Sequence, residues 1–290
     1  MPESVLTLKD LTKVYTARSF IGRSRVVHRA VAGVSLTVAP GETVAVVGES
    51  GAGKSTVGRL ALGLIEPSSG SVGLLGRDLG SIRSSELRRM RAKATMIFQD
   101  PYTSLNPRLT IQSAIAEPLE VVGTGDKRDH VRAIRELIER VGLTQAHLAR
   151  YPYELSGGQL QRVAIARALV TKPSFIVCDE PVAALDVSTQ AQVVNLLREL
   201  QRERGIAYLF ISHDLRLVRY IADRVAVMRD GAVVEEGPTD VVYRTPASPY
   251  TKSLLASIPA GSPRARKFGL PSSTPRPSSV SLAASNATTP

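Results

Sequence analysis

The sequence predicts an α/β fold in which extra helices are inserted into a core of alternating strands and helices. Three short, continuous apolar runs are typical of buried strands, and they occupy residues 43–48, 175–179 and 207–212. Amphipathic stretches separate apolar runs along the chain, and this alternation is typical of α/β proteins. Helical pattern dominates residues 111–170, between two strand signals, which predicts a helical subdomain inserted into the core.

Composition excludes two classes of protein. The chain has 290 residues, of which 43% are apolar, so it can bury one large core or two of ordinary size. Cys178 is the single cysteine, which rules out a disulfide scaffold. The longest apolar runs, such as residues 206–211, are far shorter than the ~20 residues of a membrane-spanning helix. We therefore expect no span, and the first residues lack the pattern of a secretory signal.

The positive charge is concentrated in two segments. The chain has 37 Lys and Arg against 26 Asp and Glu, a net charge of +11. Residues 11–41 carry five cations and residues 261–290 carry four, and neither segment contains an acid. Such basic segments can bind nucleic acid, bind an anionic membrane surface, or simply be exposed to solvent. Basic and aromatic residues do not interleave here, so solvent or membrane is favoured and no direct nucleic-acid binding is expected.

Further elements follow from local patterns. Residues 56–64 can form a helix after the first buried strand. Residues 126–141 place five apolar side chains on one helical face, and Gly142 stands where that helix would stop. Residues 225–236 are a predicted hairpin with an Asp-Gly turn. Residues 261–290 contain five Pro and seven Ser without apolar periodicity, which predicts a disordered basic tail.

A glycine-rich loop follows the first buried strand. It fits the pattern G-x-x-x-x-G-K-[ST] between a strand and a helix, the context that a phosphate-binding loop requires. Glycines let backbone N–H groups face phosphate oxygens, while the lysine reaches the outer phosphates and the hydroxyl binds Mg²⁺. The sequence therefore predicts a site for a nucleoside triphosphate. The predicted nucleotide-binding residues here are Gly48, Glu49, Ser50, Gly51, Ala52, Gly53, Lys54, Ser55 and Thr56.

Two carboxylates end the second buried strand. A strand end beside the phosphate loop can place Asp179 near Mg²⁺, and Glu180 is then next in line to act as general base on the attacking water. A solvated acidic pair is the alternative interpretation. The presence of Lys54 upstream favours the functional one.

A second pair of glycines precedes the predicted helix at residues 160–170. Ser156 is a good N-cap, and Gly157 and Gly158 leave backbone N–H groups open, so this helix start can also bind an anion. A capped helix start with nothing bound is the alternative interpretation.

These motifs resemble, in kind and in order, those of ATP-binding cassette (ABC) proteins. The sequence Leu-Ser-Gly-Gly-Gln at residues 155–159 is similar to the signature motif of that family. The resemblance covers residues 1–260 and implies an ABC ATPase fold. This fold is a P-loop NTPase core with an N-terminal antiparallel β subdomain, a helical subdomain at about 100–170 and a C-terminal extension at about 240–260. The motifs are, in order, the phosphate loop, Gln99, the signature, Asp179-Glu180, Ala184-Leu185-Asp186 and His213.

The same resemblance implies a role for each motif. Two cassettes face each other head to tail, so that each ATP touches the phosphate loop of one and the signature of the other. Gln99 would sense Mg²⁺ and the attacking water, His213 would contact the γ-phosphate, and Asp186 would lie in the D-loop at the dimer contact. Tyr15 would stack on adenine. The implied sets are catalytic (Glu180, His213, Gln99, Lys54), Mg²⁺-binding (Ser55, Gln99, Asp179) and signature (Ser156, Gly157, Gly158, Gln159).

Longer segments narrow the resemblance. Residues 98–108, 179–188 and 248–259 are similar to those of the ATPases of oligopeptide and dipeptide importers. The resemblance implies an ATP-hydrolysing, Mg²⁺-dependent motor at the cytoplasmic face of the inner membrane. Its implied partners are a second ABC ATPase subunit, identical or different, two transmembrane permease subunits and an extracytoplasmic solute-binding protein. Alternatives are a nickel or glutathione importer, a soluble cassette ATPase that acts on nucleic acid or ribosomes, and an ATP switch without hydrolysis.

Overall fold

The computed structural model describes residues 4–18, 25–123, 126–183 and 185–258, and these form two sheets with surrounding helices. The strands, in chain order, are β1 (Leu6–Arg18), β2 (Arg25–Val38), β3 (Thr43–Val47), β4 (Ser69–Leu74), β5 (Arg77–Asp78), β6 (Ala94–Ile97), β7 (Phe175–Asp179), β8 (Ala207–Ile211), β9 (Arg224–Arg229) and β10 (Ala232–Pro238).

The larger sheet has six strands in the order β10-β9-β3-β8-β7-β6. All neighbours in it pair in parallel except β10, which forms the predicted hairpin with β9. The three runs predicted as buried strands are confirmed as β3, β7 and β8, each buried at every position. Ligand sites in such sheets lie beyond the carboxyl ends of the parallel strands, where the predicted motifs follow.

The smaller sheet is antiparallel and has the order β2-β1-β4-β5. It corresponds to the N-terminal antiparallel β subdomain that the resemblance implies. Much of the basic segment at residues 11–41 belongs to its two longest strands, which include Lys13, Arg18, Arg25 and Arg29. The connection at residues 19–24 lies outside the described residues.

Helices cover the larger sheet and fill the connection between β6 and β7, so the predicted α/β fold class with inserted helices is confirmed. The subdomain bounds stay a prediction, and the predicted tail at 261–290 lies outside the described residues. The α-helices are α1 (Lys54–Ala61), α2 (Ser84–Arg91), α3 (Pro101–Ser104), α4 (Ile111–Val122), α5 (Lys127–Arg140), α6 (Gly157–Leu169), α7 (Val187–Arg204), α8 (Leu215–Ile221), α9 (Thr239–Arg244) and α10 (Pro249–Ala256); two short 3-10 helices, Gln145–Ala149 and Pro152–Glu154, precede α6.

Two helices begin earlier than the sequence predicts. The helix after the phosphate loop was expected at residues 56–64 but begins at Lys54, and the helix expected at 160–170 begins at Gly157. In the second case, Ser156 and Gln159 cap each other's backbone N–H groups, which holds both glycines in the first helical turn. Glycine is a poor helix former, so propensity alone places the start too late.

The core lies on both faces of the larger sheet. Along β3, Val44 and Val46 pack into the cluster shared with the antiparallel sheet. Ala45 and Val47 face the opposite cluster, formed with the inserted helices and with α7 and α8. Burial of both faces explains why β3 is a continuous apolar run without alternation.

Candidate functional site

The phosphate loop lies between the end of β3 and the start of α1. Gly48 has φ +150° and Gly53 has φ +94°, in the region that L side chains rarely adopt. A Cβ on Gly48 would lie 2.2 Å from the carbonyl oxygen of Met228, and one on Gly53 would lie 2.1 Å from that of Ala30. Glycine is therefore required at both positions by close backbone contact as well as by conformation.

Lys54 folds back over this loop. Its Nζ donates to the carbonyl oxygens of Gly48 and Glu49, at 2.8 Å each, and the residue is only 6% exposed. Burial lowers the pKa of Lys54, and the nearby carboxylates of Glu180 and Asp179 oppose that shift. The ammonium thus lies inside the loop, where it can turn to phosphate oxygens.

A hydroxyl and a carboxylate meet next to the loop. Ser55, in the first turn of α1, donates from Oγ to Oδ1 of Asp179 at 2.8 Å. Burial raises the pKa of Asp179, while the hydrogen bond from Ser55 and the charge of Arg59 oppose this. Hard oxygen donors at the edge of a phosphate site are the ligands that Mg²⁺ prefers, so this pair fits a magnesium ion.

Glu180 is held between two side chains from neighbouring strand ends. Gln99, after β6, donates from Nε2 to Oε2 of Glu180 at 2.9 Å. His213, after β8, lies with Nδ1 3.1 Å from Oε1 of the same carboxylate. Glu180 itself has φ +47°, and its N–H donates to the carbonyl oxygen of Ile211. Positive φ at a non-glycine residue is strained, and such strain is concentrated at functional sites.

The signature residues lie in a different part of the molecule. Ser156 caps α6, and Nε2 of Gln159 approaches Nε2 of His147 at 3.4 Å. Cβ atoms built on Gly157 and Gly158 would have Tyr102 and Leu185 as nearest neighbours. The hydrogen bonds of the signature therefore connect it to the inserted helices. Among the described residues, no hydrogen bond joins it to the phosphate loop of its own chain.

Asp186 caps the start of α7. Its carboxylate accepts the N–H groups of Ser188 and Thr189 and the hydroxyl of Ser188. The hydrogen bonds from Ser188 and Thr189 hold the pKa of Asp186 well below its usual range. Ala184, which the motif also includes, lies outside the described residues.

Tyr15 lies on β1 with 43% of its surface exposed, and the Nζ of Lys13 is 5.3 Å from the centre of its ring. Its role toward adenine stays a prediction. Sequence reasoning missed a different aromatic contact, in which Tyr250 of α10 reaches the backbone of Glu49. These residues are 201 positions apart, and no local pattern signals such a contact.

The geometry defines a class of protein. A phosphate loop, a Ser–Asp oxygen pair and a carboxylate held by an amide and an imidazole converge at the carboxyl edge of a mostly parallel sheet. This combination is that of a phosphate-loop nucleotide hydrolase.

Comparison with known proteins narrows this class. The profile described as "ABC transporter" matches residues 31–183. The oligopeptide transport ATP-binding protein OppF of Bacillus subtilis is 47% identical over 91% of this chain and 85% of its own. The dipeptide transport ATP-binding protein DppF of Lactococcus lactis is 46% identical over 90% and 83%. A dimeric ATP-binding cassette, solved in a post-hydrolysis state with ADP and Pi, superimposes with a TM-score of 0.73 and 31% identity over 81% of this chain and 98% of its own. The chain belongs to the ABC transporter family, as an ATP-binding cassette.

None of the helices in the described part of the chain combines the length and the apolar character that a membrane crossing requires.

Proposed function

We propose that this chain is the ATP-hydrolysing motor of an importer for di- and oligopeptides. The observation that carries hydrolysis is the position of Glu180, whose two carboxylate oxygens contact Gln99 and His213 beside the Ser55–Asp179 pair. The observation that supports peptide import is the similarity to ATP-binding proteins of oligopeptide and dipeptide transport.

Binding of ATP begins at the phosphate loop. The N–H groups at the start of α1 and the ammonium of Lys54 bind the phosphates, and Lys54 gives up its two carbonyl contacts to do so. Ser55 and Asp179 would hold Mg²⁺, with Gln99 beside them, and the ion would supply charge neutralisation of the phosphates. Tyr15 stacks on the adenine.

Hydrolysis uses the cluster around Glu180. The carboxylate accepts a proton from the attacking water, which Gln99 orients from the neighbouring strand end. His213 approaches the γ-phosphate from the end of β8. Each oxygen of Glu180 has one partner, Gln99 or His213, and keeps a further lone pair that can accept a hydrogen bond from the water.

A second cassette completes each site. The N–H groups of Gly157 and Gly158 at the capped start of α6 suit a phosphate, but their neighbours lie outside their own phosphate loop. The signature of one cassette therefore binds the ATP held by the other, with Asp186 at the contact. This arrangement is supported by the dimeric cassette that resembles the chain.

Permease subunits dock on the inserted helices. Tyr102 and Tyr153 are 58% and 72% exposed there, and the rings of Tyr151 and Tyr153 stack with centroids 5.6 Å apart. Exposed aromatic clusters are typical of protein interfaces. Tyr102 follows Gln99 by three residues, so the proposed docking surface and the hydrolysis site are close together along the chain. We place the assembly, with two permeases and an extracytoplasmic solute-binding protein, at the cytoplasmic face of the inner membrane.

The docking surface can be tested with one charged substitution. We expect Tyr153→Asp to abolish co-purification with the permeases while ATP binding by the isolated chain stays unchanged, because an unpaired charge in the interface is costly to desolvate. Val241→Asp, at an exposed position of α9 (53%), is the matched control and should co-purify normally. Equal co-purification of the two variants would place the interface elsewhere.

The transported solute can be tested in vesicles that contain the whole assembly. We expect ATP-dependent uptake of labelled di- or oligopeptide, and no such uptake with Lys54→Ala. Uptake of nickel or of glutathione in place of peptide would overturn the assignment of the solute but leave the motor intact.

A further inference from the structure

The phosphate loop is contacted by a residue from the far end of the chain. Oη of Tyr250, at the second position of α10, accepts the N–H of Glu49 at 3.3 Å. The carbonyl oxygen of the same residue, Glu49, accepts a hydrogen bond from Nζ of Lys54 at 2.8 Å. The backbone of Glu49, the second residue of the loop, is therefore held by three hydrogen bonds: one with Lys54, one with the N–H of Ala52 inside the loop, and one with Tyr250 of the C-terminal helix.

Two further contacts fix Tyr250 in this position. The guanidinium carbon of Arg229, at the end of β9, lies 5.0 Å from the centre of its ring. The carboxylate of Glu235 accepts the N–H groups of Ala247 and Ser248 at 2.8 and 3.0 Å, immediately before α10. Strand β9 pairs in parallel with β3, the strand that leads into the phosphate loop. Arg229, which contacts the ring of Tyr250, and the phosphate loop therefore lie at the same edge of the sheet.

Glu235, which anchors the segment before α10, is held in its charged form. Burial opposes ionisation of this carboxyl, but the hydrogen bonds that it receives outweigh burial and lower its pKa. The helix and Ile258 just beyond it are also packed on the main core through partly buried apolar residues, which are Tyr250, Leu254, Leu255 and Ile258. The hydroxyl of Tyr250 is thus presented to the loop by a fixed element.

We propose that Tyr250 is a positioning residue for the phosphate loop, through which the C-terminal segment at residues 239–258 sets the affinity for ATP. When Lys54 turns to the phosphates, the carbonyl of Glu49 keeps only the local hydrogen bond from the N–H of Ala52, within the loop. The hydrogen bond to Tyr250 is then the contact that joins Glu49 to an element outside the loop. The proposal rests on the proposed function in one respect, that this loop is the ATP site.

The test is Tyr250→Phe, which keeps the ring on Arg229 and removes only the hydroxyl. We expect the KM and the Kd for ATP to rise about two- to tenfold, the range for loss of one hydrogen bond, while kcat at saturating ATP stays unchanged. Tyr220→Phe is the matched control. Tyr220 donates its hydroxyl to Asn195 at 2.7 Å and lies under Arg198, so it loses a comparable bond without touching the loop.

Hydrogen exchange gives a readout that is independent of activity. In the nucleotide-free protein, the amide of Glu49 should exchange faster in Tyr250→Phe than in Tyr220→Phe, with melting temperatures of the two variants alike. Equal ATP affinity and equal exchange in the two variants would overturn the proposal, and so would a fall in kcat with unchanged KM. Lys54→Ala separates the two ideas. If it binds ATP normally, the proposed nucleotide site is wrong; if it loses ATP while Tyr250→Phe behaves as the control, only the role of Tyr250 is wrong.

Discussion

In the proposed mechanism Glu180 carries the chemistry of the site, and its surroundings suit a carboxylate. The side chain is mostly buried, at 15% exposed, and lies between an amide donor and an imidazole. The backbone of Glu180 has a positive φ, in the left-handed region, and this conformation costs energy for a non-glycine residue. The packing of a strand end does not by itself require such a conformation. The strained backbone directs the carboxylate along the edge of the sheet, toward the residues that follow β6 and β8.

Replacement of Glu180 by glutamine removes the proton acceptor and keeps the size of the side chain. We expect steady-state ATP hydrolysis by Glu180→Gln to fall by about 10²–10⁴, with ATP affinity retained because the phosphate contacts lie elsewhere. ATP should accumulate in a closed dimer, measured by size-exclusion chromatography. Glu203→Gln, an exposed partner of Arg140, is the control and should hydrolyse ATP normally. Undiminished turnover in Glu180→Gln would eliminate this residue as the base.

The residues of the candidate site differ in how far their positions could be predicted from the sequence. Lys54, Ser55 and Asp179 could be assigned from local motifs because strand ends of one parallel sheet meet at one edge. Gln99 and His213 have no local signature, and their roles came from resemblance to a family. The contact between Tyr250 and Glu49 could not be predicted, because it depends on how a helix at the end of the chain packs against β9 and β3.

At the scale of elements, the site depends on how helices begin. The start of α6 is closed by reciprocal hydrogen bonds of Ser156 and Gln159, and the start of α7 by Asp186. Strands β3, β7 and β8 were predictable because burial on both faces gives them short, nearly continuous apolar sequences. Helix starts were less predictable from the sequence. Capping geometry, rather than hydrophobic periodicity, determines where a helix begins.

The cap at α7 can be separated from the proposed role of Asp186 in the dimer. Asp186→Asn keeps an accepting oxygen, so we expect its melting temperature to remain near that of the wild type, whereas Asp186→Ala should melt a few degrees lower. If Asp186 also serves the dimer, both variants lose hydrolysis. Asp126→Ala, which removes the cap of α5, is the control: we expect it to lower the melting temperature and to leave ATP hydrolysis unchanged. Full activity in Asp186→Asn would show that the residue is only a cap.

The same cap has a defined pH dependence. Because the pKa of Asp186 is lower in the folded chain, its stabilisation is complete above the ordinary carboxyl pKa and is lost as pH falls through the lowered value. The difference in melting temperature between the wild type and Asp186→Ala should therefore persist into acid. A difference that disappears already at the ordinary carboxyl pKa would contradict this.

At the scale of the whole molecule, one chain contains two halves of different sites. The phosphate loop and the Glu180 cluster lie at the sheet edge, while the signature is held by the inserted helices and by the region of Leu185. In the proposed function, a cassette with this division binds ATP alone but requires a partner to complete the surroundings of the γ-phosphate. Dimerisation is then part of the proposed catalytic cycle.

Complementation tests this division. We expect Ser156→Arg to bind ATP normally as a monomer and not to hydrolyse it, because the added cation opposes the helix dipole where the partner's phosphate must dock. Lys54→Ala should fail to bind. In an equal mixture, each heterodimer has one intact site, so about a quarter of wild-type hydrolysis should return if the functional dimer is symmetric. Loss of ATP binding by the Ser156→Arg monomer would contradict the model of a signature that acts on the partner's ATP.

The position of Lys54 has a consequence for the thermodynamics of nucleotide capture. Since its ammonium lies within the loop and donates to two carbonyl groups, these hydrogen bonds help to hold the loop in its curved shape. Arrival of ATP then exchanges one set of polar contacts for another, and little chain entropy is lost to ordering. Calorimetry should accordingly record a small heat-capacity change for ATP binding by the isolated chain, with the large negative change reserved for closure of the dimer, where apolar surface is buried.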